Sequence, residues 1–308
     1  MLRTRVRLDE MPGPAPAATM PPVTRLARRA DRTAPAPVIT AARRLNRAAG
    51  TIAASVLMDS AMEHYRGNFH NKAMWTPLVT SALSIAVSIH GLSDKRHGAH
   101  WLRGIVYAGA GFVGAIGTGF HVYNVTKKVG GLSWQNIFYS APLGAPAAMS
   151  LSGLIGFLAE RVRNNEPEAK PKVFGLSAGR VVAATTAMSL LGTTAEAGLL
   201  HFRGAFHNPA MLLPVTMPPV AAALLGAATA GDAARDRKGS RLWMAATAAM
   251  GIAGVAFHAY GVSRGMGGWR NWQQNAIAGP PLPAPPSFTG LALAGLAALA
   301  LLKESAHD

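Results

Sequence analysis

The chain has 308 residues, half of them hydrophobic and only 14% charged, with a formal net charge of +16 and no cysteine. A charged share well under the usual quarter or so marks a membrane protein rather than a soluble domain. The missing cysteine excludes disulfides, cysteine-ligated iron–sulfur clusters and covalently attached c-type haem. The positive charge is gathered in a tail and in loops between apolar runs, which excludes nucleic acid as a partner.

Residues 1–47 hold ten arginines among Pro and Ala, with nothing apolar enough to bury. They read as a disordered basic cytoplasmic tail. Eight runs then follow, near the roughly 20 apolar residues a bilayer requires: 48–66, 73–92, 102–125, 141–160, 178–202, 210–231, 241–262 and 286–303. The first is the least apolar, being interrupted by Asp59 and Glu63. Residues 161–177 form a cytoplasmic linker and 304–308 a C-terminal tail.

Basic loop residues set the orientation. One side holds Lys95, Arg96, Arg103, Arg161, Arg163, Lys170, Lys172, Arg180, Arg235, Arg237, Lys238 and Arg241. The other holds Arg66, Lys72, Lys127, Lys128, Arg203, Arg264 and Arg270. Both termini are therefore expected in the cytoplasm of a bacterial inner membrane.

The chain also repeats itself at one constant offset. His64-Tyr-Arg-Gly-Asn-Phe-His-Asn71 returns as His201-Phe-Arg-Gly-Ala-Phe-His-Asn208, and Asp59, Gly114, Gly117, His121 and Tyr123 return as Glu196, Gly251, Gly254, His258 and Tyr260. After a small insertion, Gln135-Asn136 and Pro142-Leu143 match Gln274-Asn275 and Pro281-Leu282. An internal repeat of this length fixes architecture before local patterns do. The expected fold is an all-α integral membrane protein of eight transmembrane helices, arranged as two parallel four-helix-bundle repeats over 48–160 and 178–303.

Part of the octapeptide answers to backbone geometry. Gly67 and Gly204 suit a left-handed helix end, Asn71 and Asn208 suit N-caps, and Phe69 and Phe206 would plug the turn. The histidines and arginines have no such explanation, and ionisable groups near spans are functional candidates. His90, His97, His100 and His307 have no counterpart in the other half and read as solvated.

In an up-down bundle the first and third helices stand diagonally. His64 would then face His121, and His201 would face His258, near the periplasmic surface. Facing imidazoles suit bis-histidine ligation of haem b. Arg66 and Arg203 lie where propionates would be met, and His70 and His207 could hold a propionate or replace a ligand. Asp59 and His64 are five residues apart, about 140° around a helix, so Asp59 and Glu196 fit a proton path better than direct ligation. The Trp134-Gln135-Asn136 and Trp272-Gln273-Gln274-Asn275 segments could line a quinone pocket or dock a partner. The expected function is a redox or anchor subunit relaying electrons between a periplasmic dehydrogenase and quinone, with the lipid bilayer as its surroundings. The alternatives are a non-haem site built from the same six histidines with Asp59 and Glu196, and a small-solute carrier.

Overall fold

The computed structural model describes residues 36–140, 142–166, 169–230 and 237–304. Residues 1–35 of the expected tail, and the readings that fall on Ala141, Arg235, His307 and the end of the chain, lie outside the described residues. Among the described residues the chain is all-α apart from one tiny hairpin.

The first helix, α1 (Pro37–Arg66), opens with proline at its first turn, where the absent N–H costs nothing. It starts well before residue 48, which corrects the expected tail boundary. Val38, Ile39, Ala41, Ala42 and Leu45 are all buried, so residues 37–47 belong to the core. The arginines between them disguised an amphipathic stripe. A 3-10 turn (Lys72–Trp75) leads into α2 (Thr76–Ser93), followed by α3 (Trp101–Thr126), the short α4 (Trp134–Tyr139) and α5 (Gly144–Arg163). The hairpin β1 (Lys172–Val173) and β2 (Leu176–Ser177) turns at Phe174 and Gly175, both with positive φ. Beyond it come α6 (Ala178–Arg203), a second 3-10 turn (Pro209–Leu212), α7 (Leu213–Ala230), α8 (Lys238–Ser263), the short α9 (Trp272–Ala278) and α10 (Pro286–Glu304).

Helices α1, α2, α3 and α5 pack in a ring, with α1 and α3 on a diagonal. Helices α6, α7, α8 and α10 form a second ring, with α6 and α8 on its diagonal. The rings share one core, because α10 packs broadly on α1 while α5 only brushes α6. Residues from Ala36 onward thus form one compact unit.

Among the described residues five helices are long and apolar enough to cross a membrane: α2 and α7, each with its 3-10 lead-in, and α3, α8 and α10. The first four bury only 17–22% of their apolar windows, whereas α10 is 72% buried. Ile105, Phe112, Ile116, Leu242 and Ile252 therefore point outward. So broad an exposed apolar surface is intolerable in water and natural against lipid tails. The more polar α1 and the largely buried α5 sit inside this apolar wall.

Small residues let the helices touch. A Cβ on Gly114 would lie 2.4 Å from the Ser150 nitrogen, and one on Gly153 would lie 2.3 Å from the Gly111 nitrogen. In the second ring a Cβ on Gly251 would lie 2.4 Å from the Thr289 hydroxyl. Close backbone approach of this kind is how apolar helices associate in bilayers.

Candidate functional site

Each repeated histidine is anchored by its own stretch of backbone. Helix α1 ends at Arg66 and α6 at Arg203. The glycines that follow are not left-handed, contrary to expectation: Gly67 has φ −83° and Gly204 φ −82°. The left-handed residues come next, Asn68 (53°) and Phe69 (44°) in one turn, Ala205 (55°) and Phe206 (48°) in the other. A left-handed non-glycine residue costs on the order of 1–3 kcal/mol and persists only where its surroundings demand it.

Those surroundings are visible. The Phe69 N–H donates to the His64 carbonyl at 3.0 Å, and the Phe206 N–H to the His201 carbonyl at 3.1 Å. Asn71 and Asn208 accept from the Ala73 and Ala210 amides at 2.9 Å, each capping a 3-10 turn as their residue type suggests. Phe69 stacks on Trp75 at 4.4 Å and meets His64 edge-on, and Phe206 meets His201 likewise.

The turns present carbonyls to the imidazoles. His64 Nδ1 donates to the Met74 carbonyl at 2.6 Å and His201 Nδ1 to Met211 at 2.8 Å. His70 and His207 bond the Gly67 and Gly204 carbonyls at 2.9 and 3.0 Å. On the third helix of each ring, His121 and His258 bond the Pro142 and Pro281 carbonyls, both at 2.7 Å. A carbonyl only accepts, so Nδ1 carries the proton in all six rings, and the neutral ring keeps its lone pair on Nε2. This arrangement, one nitrogen tied to a backbone carbonyl and the other free, is the one that orients metal-binding histidines.

The diagonal helices bring one of the expected pairs into ring contact. The His201 and His258 rings stand 6.4 Å apart between centroids, inclined at 64°. His64 lies within electrostatic reach of His121 and of His70. All four diagonal rings are half-buried, while His70 and His207 are exposed.

Other expected site residues are placed differently. Arg66 donates to Glu63 at 2.7 Å on the surface. Arg203 lies over the Phe138 and Tyr139 rings of α4 at 5.7 and 5.5 Å. Asp59 and Glu196 come within electrostatic reach of one another where the rings meet, and Glu196 accepts from the Gly144 amide. Among the described residues no three His, Asp or Glu side chains converge as a metal cluster, so the larger donor set read from the sequence is not assembled. Asn136 spends its amide on the Val129 and Gly131 carbonyls, and Asn275 on Met266 and Gly268, each stapling its own loop. Trp134, Gln135 and Trp272 are exposed, and Gln273 donates to the Tyr65 hydroxyl at 3.3 Å.

One cluster escaped sequence reasoning. Arg103, fully buried, donates to Glu160 at 2.8 and 3.0 Å and to Asp94 at 2.8 Å. Arg163, also fully buried, bonds the Gly91, Asp94 and Arg96 carbonyls. Neither is the free loop cation assumed in assigning orientation. Of the histidines without a counterpart, His90 and His97 are exposed and His100 half-buried; His97 donates to the Asn165 carbonyl at 2.6 Å, and His90 and His100 meet edge-to-face at 5.1 Å. No protein-family model, curated protein or solved structure matches this chain.

Proposed function

We propose that the protein is a membrane redox or anchor subunit that holds haem b between paired imidazoles and relays electrons between a periplasmic dehydrogenase and quinone. In this reading eight helices span a bacterial inner membrane as two parallel four-helix repeats, with both termini in the cytoplasm. The haem ligands are His201 with His258 and His64 with His121. Arg66, Arg203, His70 and His207 serve the propionates, Asp59 and Glu196 a proton path, and the tryptophan–glutamine segments the quinone or the partner.

One observation carries the reading: the 6.4 Å spacing of His201 and His258, with both Nδ1 atoms tied to carbonyls. A separation of 6.4 Å between ring centres would leave room for one metal ion held by both His201 and His258. Two imidazoles, His201 and His258, would suffice as the protein's ligands to haem b. A bare zinc-type ion asks for three or four, and among the described residues no group of three is gathered. Bound haem would supply one-electron chemistry. The chain would supply orientation through its carbonyls, and cations in Arg66 and Arg203.

The test is an absorption spectrum of detergent-purified protein, oxidised and then dithionite-reduced, with haem quantified per chain. Sharp reduced bands and about two haems are expected. His201→Ala or His258→Ala should remove one of them, with the helical content unchanged. A colourless protein from haem-replete cells rejects the proposal, and iron without porphyrin would transfer the site to the non-haem alternative.

A further inference from the structure

We infer that the end of the bundle opposite the repeated histidines carries a binding site for an anionic phospholipid, with the headgroup phosphate held by Arg44, Arg47, Arg241 and Lys303. These four cations line one cavity of about 450 Å³ where α1 begins, α8 begins and α10 ends. Glu304 is the one acid that also lines it. No carboxylate lies within ion-pair distance of any of the four cations among the described residues, although Arg66, Arg96 and Arg103 all have such partners. Unneutralised charge around a concave site is an anion's place.

The floor of the cavity specifies the rest of the ligand. Leu293, Leu296 and Ala300 line it, one per turn of α10. On a helix otherwise almost wholly buried, these residues are only half-covered. They face out because α1 and α8 both flank α10 without packing on each other. The register agrees: Gly290 abuts Ala48 and Ile52 of α1, and Gly295 abuts Met244 of α8. Antiparallel α10 therefore carries residues 293–300 past Arg44, Arg47 and Arg241. A phosphate on the cations leaves an acyl chain in the groove between α1 and α8, against an apolar stripe. A soluble anion would use the cations and ignore the stripe. Basic pockets at helix ends are where anionic headgroups bind in membranes.

The experiment reconstitutes the full chain in phosphatidylcholine nanodiscs containing a minority of phosphatidylglycerol and reads retained lipid by native mass spectrometry. The wild type should retain phosphatidylglycerol in preference to phosphatidylcholine. Each cation removed should weaken retention about fivefold, so Arg44→Gln, Arg47→Gln and Arg241→Gln together should abolish it. Arg264→Gln with Arg270→Gln, at the far end, should leave it intact. Leu296→Trp keeps every charge but fills the groove. It should lose the lipid too, and it decides the matter if the triple variant does not fold. Equal retention of both lipids by the wild type, or undiminished phosphatidylglycerol on Leu296→Trp, overturns the proposal. Displacement of the lipid by inorganic phosphate alone would assign the cations to a soluble anion and overturn it as well.

Discussion

Asp94 stands between two guanidinium groups at the mouth of the first ring, and its neighbours make it the most informative single residue for stability. Burial alone would push its carboxyl up. The hydrogen bonds from Arg103 and Arg96 outweigh that and hold it well below the usual carboxylate range. A carboxyl depressed in the folded state contributes stability that is complete above its unfolded value near pH ~4 and disappears as pH falls toward the folded value. Thermal melts between pH ~7 and ~3 should therefore show the wild type losing stability on acidification, and Asp94→Asn should flatten that slope. Glu160→Gln leaves Arg103 enclosed with half its charge partners gone and should cost about 3–5 kcal/mol, read as a fall in melting temperature. Nothing in the local sequence announced this cluster. Arg103, Asp94 and Glu160 come from three different segments, and the repeat gave no help, because its offset carries Glu160 onto Leu299. The histidines were legible for the opposite reason, since each recurs with its supporting residues. The carbonyls that fix their tautomers were hidden, because backbone partners leave no trace in residue type.

At the scale of elements, apolar length located the membrane helices to within a few residues, and it failed where polarity and helix coincide. The start of α1 looked like tail because Arg43, Arg44 and Arg47 punctuate it. Their spacing in fact leaves Ala42, Leu45, Ala48 and Ala49 on one buried face. The short helices α4 and α9 and the β1–β2 hairpin were not foreseen, since six or seven residues carry too little periodicity to read. The octapeptide turn was foreseen in its caps and mistaken in its backbone: the left-handed conformation falls on Asn68 and Phe69, one and two residues past the glycine. Helix contact gives a sharper test. Gly114→Ala and Gly251→Ala each thrust a methyl group into a neighbouring helix and should destabilise by about 1–3 kcal/mol. Gly109→Ala meets nothing within 4 Å and should be neutral or raise the melting temperature through helix propensity. Equal effects at the three sites would contradict the packing described.

The whole molecule follows from who is buried by whom. Four of the apolar helices face outward, while the more polar α1 and the apolar α10 lie inside, the reverse of a water-soluble bundle and an order a bilayer allows. That inversion was readable from composition, whereas the union of the two rings was not. It depends on α10 lying against α1, a contact between opposite ends of the chain. The two helices run antiparallel, with Ser55 bonded to Ser287 near one end and Arg44 and Lys303 sharing a cavity near the other. The start of α1 and the finish of α10 therefore lie side by side. Topologically the protein is nearly a closed loop, cut at one place and bridged by the 164–171 connection at another. Moving the cut should cost little: a circular permutant that begins at α6, joins α10 to α1 through a short flexible linker and ends at α5 should express as a monodisperse membrane protein with a similar melting temperature. Which half is synthesised first would then be an accident of the gene rather than an instruction to the fold.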